Sequence, residues 1–241
     1  MRASLTRLTP LLLSPLRTRM MAGTAAIEVE KKFAAGDPSA LRQQVEASGG
    51  KTLGEISFHD EYWDTAECVL TRRDTWLRRR EQQWELKIPV AGSQRSGGET
   101  STFTEIEGAP AVGAALATLL ADWDGANERL TGEELEARLR AAQLTPFAAF
   151  GTVRSKYKLG GCSIDADVAS FGHSVVEIEV MCAAADEVAA AESEIARVAT
   201  LIDARPLDAS SGGKLETFIR RFCPAVLAQL VEVGVLKAEV G

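Results

Sequence analysis

The chain has 241 residues, 46% of them hydrophobic, with 27 Lys and Arg against 34 Asp and Glu for a net charge of −7. That length admits one domain or two, and large all-β barrels reach it as a single unit; the acidic balance excludes a general nucleic-acid surface. Cys68, Cys162, Cys182 and Cys223 fall in no C-x-x-C or His-rich spacing, which argues against a zinc cluster and a disulfide framework and points to reduced thiols.

Residues 1–22 contain Arg2, Arg7, Arg17 and Arg19 among Ser, Thr and Leu, with no acid before Glu28. This is the composition of a mitochondrial transit peptide, whereas translation from Met21 would give a cytoplasmic protein; Leu11-Leu12-Leu13 is too short to span a bilayer. Residues 23–241 are expected to form one domain. Ile27 to Phe33 reads as a strand, and Pro38 to Gly50 as a helix ended by paired glycines. Strands are then expected at Ile56–Trp63, Val69–Leu70, Thr75–Glu81, Gln83–Val90 and Ser101–Glu107, with Ala91–Glu99 a Gly- and Ser-rich loop. Apolar spacing predicts helices over Pro110–Trp123 and Gly132–Leu144, inserted between two halves of the sheet. Strand periodicity returns at Phe150–Leu159, Cys162–Val168 and Ser174–Met181. Helices follow at Asp186–Ile202, from Gly213-Lys214 to Phe222, and from Pro224 onward.

In the first strand Glu28, Glu30 and Lys32 share one face, because side chains repeat every two residues, while Ile27, Val29, Lys31 and Phe33 take the other. The same i, i+2 spacing recurs at Arg78 and Arg80, Glu85 and Lys87, Glu105 and Glu107, Arg154, Lys156 and Lys158, Asp165 and Asp167, and Glu177 and Glu179. Most pairs are of one sign, and like charges side by side repel. A polyanion with divalent metal ions would satisfy both sets, phosphate oxygens on the cations and metal on the carboxylates. About eight such strands with flanking helices predict an α+β protein built on a closed antiparallel barrel with a polar, charged lumen. The competing architecture is a sheet whose charged face is wet.

Taken in order, Glu28-x-Glu30-x-Lys32, Arg78-x-Arg80, Trp84-Glu85-Leu86-Lys87, Arg154, Asp165-x-Asp167 and Glu177-x-Glu179 resemble the CYTH family, the triphosphate tunnel metalloenzymes, over about residues 26–222. Ile27–Phe33, Asp60–Thr65 and Trp76–Glu81 are similar to the branch that hydrolyses thiamine triphosphate. Trp63 departs from that pattern, and Glu105 and Glu107 compete for one acidic position. The resemblance implies an eight-stranded β tunnel and a Mg²⁺-dependent enzyme that cuts the terminal phosphate from a small-molecule triphosphate, acting as a monomer with neither nucleic acid nor membrane as partner. It assigns metal binding to Glu28, Glu30, Glu105, Asp165, Asp167, Glu177 and Glu179, and phosphate contacts to Lys32, Arg78, Arg80, Lys87, Arg154 and Lys214. Tyr62 becomes a candidate base if Lys87 lies beside it, and Arg79, of the opposite parity, belongs outside. Trp76 shares the parity of Arg78 and Arg80, so its indole is placed to hold the thiazolium ring of thiamine. Within the same lumen, inorganic triphosphate hydrolysis and noncatalytic polyphosphate binding remain the alternatives.

Overall fold

A computed structural model describes residues 26–90, 100–207 and 212–238; the expected leader at 1–22 and the expected loop at 91–99 lie outside the described residues. Eight strands, β1 (Ala26–Ala34), β2 (Lys51–Asp64), β3 (Trp76–Arg80), β4 (Gln83–Pro89), β5 (Ser101–Glu107), β6 (Thr145–Leu159), β7 (Cys162–Ala169) and β8 (His173–Cys182), close into an antiparallel barrel in the order β1-β5-β4-β3-β2-β6-β7-β8. The seam is made by β1, which pairs with β5 on one side and β8 on the other, so Glu30 faces both Ser101 and Glu179. Alternation along each strand sends the charged set inward and the apolar set out.

Six helices are present among the described residues, α1 (Pro38–Ala47), α2 (Ala109–Leu116), α3 (Gly132–Ala141), α4 (Val188–Leu201), α5 (Lys214–Phe222) and α6 (Pro224–Glu232), and the first four cover that apolar exterior. Ile195 and Val198 of α4 pack on Val29, Phe33, Ile164 and Ile178, the outward residues of β1, β7 and β8. Each such fully buried side chain contributes about 1.5–3 kcal/mol relative to exposure. Leu116, Leu135 and Leu139 of α2 and α3 cover Leu77, Trp84 and Leu86 in the same way. Local chemistry fixes where these helices begin. Asp37 accepts the N–H of Ala40 at 2.8 Å ahead of Pro38, and Thr131 and Glu134 form a reciprocal capping box at the start of α3.

The last two helices do something different. Ile219 and Leu230 pack against Trp76 and Phe103, which have inward parity, while Leu215 and Phe218 pack against Tyr62, Phe150 and Ala169. Helices α5 and α6 therefore close the end of the barrel where β1 finishes. Among the described residues no helix is long and apolar enough to cross a membrane.

Several expected boundaries move, each for a local reason. Val69–Leu70 is not a strand but part of a turn leading into a 3-10 turn at Thr71–Arg73. The buried Asp64 carboxylate accepts the backbone N–H groups of Thr65 at 2.8 Å, Thr71 at 2.8 Å and Leu70 at 3.2 Å, a competitor that strand pairing cannot match. The helix expected to run to Trp123 stops at Leu116, because the chain turns back and the Trp123 indole donates to the Gly113 carbonyl at 2.7 Å. Likewise α3 ends at Ala141 before Gln143, which sits at φ 63°. Strands β2 and β6 are longer than their own alternation shows because each templates the other from Lys51↔Lys158 to Asp64↔Thr145.

Candidate active site in the barrel lumen

Three carboxylates meet in the lumen beside the β1–β8 seam. Glu28 and Glu30 come from β1 and Glu179 from β8, and one oxygen of each lies within 4.8 Å of the others. Burial raises Glu179 to about pKa 8, helped by Glu28, Asp165, Glu30 and Glu177 around it. Burial also raises Glu28, and the ammonium of Lys87 in direct contact with it offsets that rise without overcoming it. Glu30 is pushed up by burial too, yet Lys32 and Lys87 outweigh the effect and hold it below its ordinary value. Hard oxygens this close, one of them retaining a proton to about pH 8, form a donor set that a divalent cation fits and would neutralise.

The remaining acids already hold cations. Arg154 places Nε and Nη2 on the two oxygens of Asp167 at 2.7 and 2.6 Å, reaches Glu177 at 3.0 Å and also contacts Asp165. Lys214, from the first turn of α5, lies 2.9 Å from Glu177 and contacts Asp167, and Lys156 reaches Asp165 at 3.1 Å. Burial would raise Glu177, but Lys214, Lys32 and Arg154 hold it well below the usual carboxylate range. On the opposite wall Arg78 contacts Glu85 and lies 3.9 Å from Glu105, while Lys87 is 3.7 Å from Glu105. Burial disfavours the charge of Lys87, yet Glu28, Glu30 and Glu105 keep it firmly protonated. Arg80 is gripped by Asp60 through Nε at 2.7 Å and Nη2 at 2.9 Å.

All of the expected site residues except Trp76 and Tyr62 line this charged network. Of the seven expected metal ligands, the structure brings Glu28, Glu30 and Glu179 together; Asp165, Asp167 and Glu177 are tied to Arg154, Lys156 and Lys214, and Glu105 faces Arg78 and Lys87. Glu107, the rival of Glu105, is exposed at the strand end. Tyr62 stacks on Phe150 at 6.0 Å across from Arg78, and no hydrogen bond joins it to Lys87, whose ammonium goes to Glu28. Trp76 is 6% exposed, donates its indole N–H to Asp74 at 2.8 Å and packs with Ile219 and Leu230. Arg79 lies outside, between Glu61 and Glu136 and over the rings of Trp63 and Trp84. Sequence reasoning missed Asp60 and Glu85 as partners of the arginines. Both have inward parity, which was the available signal.

The barrel interior thus pairs an acid cluster that could hold a metal with a set of cations that could hold a polyanion. The model of the CYTH domain family matches residues 26–208, and the chain belongs to that family. It is similar to the thiamine-triphosphatases of Homo sapiens, 33% identical, and Macaca fascicularis, 32% identical, each over 219 residues covering 86% of this chain and 90% of the relative. Among solved structures, the PH1819 protein of Pyrococcus horikoshii OT3 superposes with a TM-score of 0.57 at 18% identity, covering 80% of this chain and 99% of that one. The PH1012 protein of the same organism gives 0.51 at 17% identity, covering 75% and 96%. These two show the shared fold.

Proposed function

We propose that the chain hydrolyses thiamine triphosphate to thiamine diphosphate and phosphate with Mg²⁺. The observation that carries this reading is the placement of Glu28, Glu30 and Glu179 beside Lys32, Lys87, Arg78 and Arg154 in one lumen, supported by a third of the residues being identical to the human thiamine-triphosphatase over nearly the whole domain. A divalent cation at the three glutamates would supply Lewis-acid polarisation of phosphoryl oxygens. The chain itself supplies the rest. Lys87, Arg78 and Arg154 stay charged and take up negative charge that builds on the leaving diphosphate. Lys32 and Lys214 orient the phosphate chain from the closed end. Tyr62 faces the lumen across from Arg78, but Lys87, whose company would make it a base, gives its ammonium to Glu28, so Tyr62 is assigned no proton transfer.

The second reading, inorganic triphosphate as substrate, is favoured by one observation: Trp76, the side chain suited to an organic cation, is packed under α5 and α6. Phosphate release from thiamine triphosphate, ATP and inorganic triphosphate, each with and without Mg²⁺, separates the two. If thiamine is recognised through Trp76, Trp76→Ala lowers kcat/KM for thiamine triphosphate by about 2- to 30-fold, the worth of a cation over an indole, and leaves inorganic triphosphate nearly unchanged. Equal losses on both substrates would make Trp76 a packing residue.

A further inference from the structure

Phe58 is a buried phenylalanine that belongs to no core. It is 7% exposed, yet it is absent from all four apolar clusters and meets no other aromatic ring among the described residues. Its neighbours are charged. The Arg80 guanidinium carbon lies 3.9 Å from the ring centroid, and that of Arg154 lies 5.2 Å from it. The two arginines reach the ring from β3 and β6, the strands that flank β2 on either side. Each guanidinium is also held by an aspartate through Nε and Nη2, Arg80 by the fully buried Asp60 and Arg154 by the almost fully buried Asp167, and Arg154 is held further by Asp165 at Nη1 and by Glu177 at Nη2.

We propose that Phe58 is a positioning residue for triphosphate binding, bracing Arg80 against a ring that the fully paired Arg154 also contacts, so that the outer edge of Arg80 is held ready for the phosphate chain. The inference rests on the reading that Arg80 binds phosphate. A guanidinium free to rotate about its long side chain would lose rotamer entropy on binding. Here the aspartate fixes the edge and the ring fixes the plane, so that cost is met on folding. In Arg80 the bonds to Asp60 use Nε and Nη2, which leaves Nη1 without a partner among the described residues and available to a phosphoryl oxygen. An aliphatic side chain could fill the space of Phe58, but it has no negative π face to hold a cation. In sequence the signal is an aromatic residue at inward parity two positions before Asp60, in a strand whose other inward positions include Asp60 and Asp64.

The test is calorimetric titration of the full chain with inorganic triphosphate, metal withheld so that binding is read without turnover. Phe58→Leu is expected to weaken binding by roughly tenfold, while Phe58→Tyr, which keeps the ring face, stays within about twofold of the natural protein. Asp60→Asn, which breaks the two-point grip, is expected to weaken binding by a similar factor. In an Arg80→Ala background Asp60→Asn should cost almost nothing further and Phe58→Leu should cost less than before, since both act through Arg80. Equal weakening by Leu and Tyr at position 58, or penalties that add fully to that of Arg80→Ala, would overturn the proposal. A natural protein that binds inorganic triphosphate but hydrolyses no thiamine triphosphate overturns the substrate assignment and leaves the brace standing. One that binds no triphosphate overturns both.

Discussion

Glu177 and Glu179 sit two residues apart on β8 and face the same lumen, yet they hold their protons in opposite ways. Lys214, Lys32 and Arg154 surround Glu177 and keep it ionised far into acid, whereas Glu179 is buried among Glu28, Asp165 and Glu30 and rises to about pKa 8. Residue type, strand and face are the same, so the difference comes from what the adjacent strands and α5 place beside each. One region of the lumen is internally neutralised and acts as a fixed cationic cradle. The other holds an acid cluster in which Lys87 answers Glu28 and Lys32 answers Glu30, while Glu179 has no ion pair among the described residues.

The largest effects should come from the acid cluster. Glu28→Gln or Glu30→Gln keeps the shape of the cluster but removes its charge, and hydrolysis should fall by ~10²-fold or more with the fold retained; near-normal turnover in a folded variant would refute the cluster's role. Stability should then separate the neighbours in opposite directions. Glu177→Gln leaves Lys214 short of a buried partner and should cost about 3 kcal/mol, whereas Glu179→Gln relieves crowded acids and should leave the thermal midpoint of the metal-free protein unchanged or higher. A fall of similar size in both would erase the contrast.

The same contrast has a pH signature. Because the Glu179 carboxyl is raised from 4.5 to about 8, its folded form favours the proton. Its contribution to metal-free stability is therefore present at low pH and lost as pH rises through about 8. A cation competes with that proton, so metal affinity should grow up to about tenfold per pH unit below pH 8 and level off above it. Mg²⁺ titrations between pH 6 and 9 on the natural protein and on Glu179→Gln check this, since the variant should lose the slope. The smallest expected effect tests the cradle. Gly213 has an ordinary φ of −64°, but a Cβ there would lie 2.6 Å from Cε of Lys32. Gly213→Ala should push that ammonium aside, raising KM severalfold while the thermal midpoint hardly moves; an unchanged KM would mean that Lys32 adapts freely.

Much of this arrangement could be read from spacing alone. Strand parity placed Glu28, Arg78, Arg154 and Glu177 inside and Arg79 outside, because the two-residue repeat of a strand survives whatever its partner is. Pairing was not legible. That Glu179 would lie among acids and Glu177 among cations depends on Glu30 and Lys32 standing beside them across the β1–β8 seam, and on Lys214 arriving from α5. Nor could parity show that Trp76 would be covered, since inward parity at the closed end leads to α5 and α6 instead of to open lumen. The failed strand at Val69–Leu70 has the same origin, a single buried carboxylate at Asp64 that claims the backbone donors of Leu70 and Thr71.

The seam has a further consequence, for assembly. Two of the clustered glutamates lie on the first strand and the third on the last, so the cluster does not exist until β8 has been synthesised and docked beside β1. A growing chain holds β1 with one edge unpaired until then, and closure brings Glu179 against Glu28 and Glu30, which Lys87 and Lys32 already contact. A divalent ion that binds only the closed barrel would stabilise it by mass action. Refolding of the natural protein would then depend on metal concentration at its last step, and occupancy of the site would report that the ring is complete.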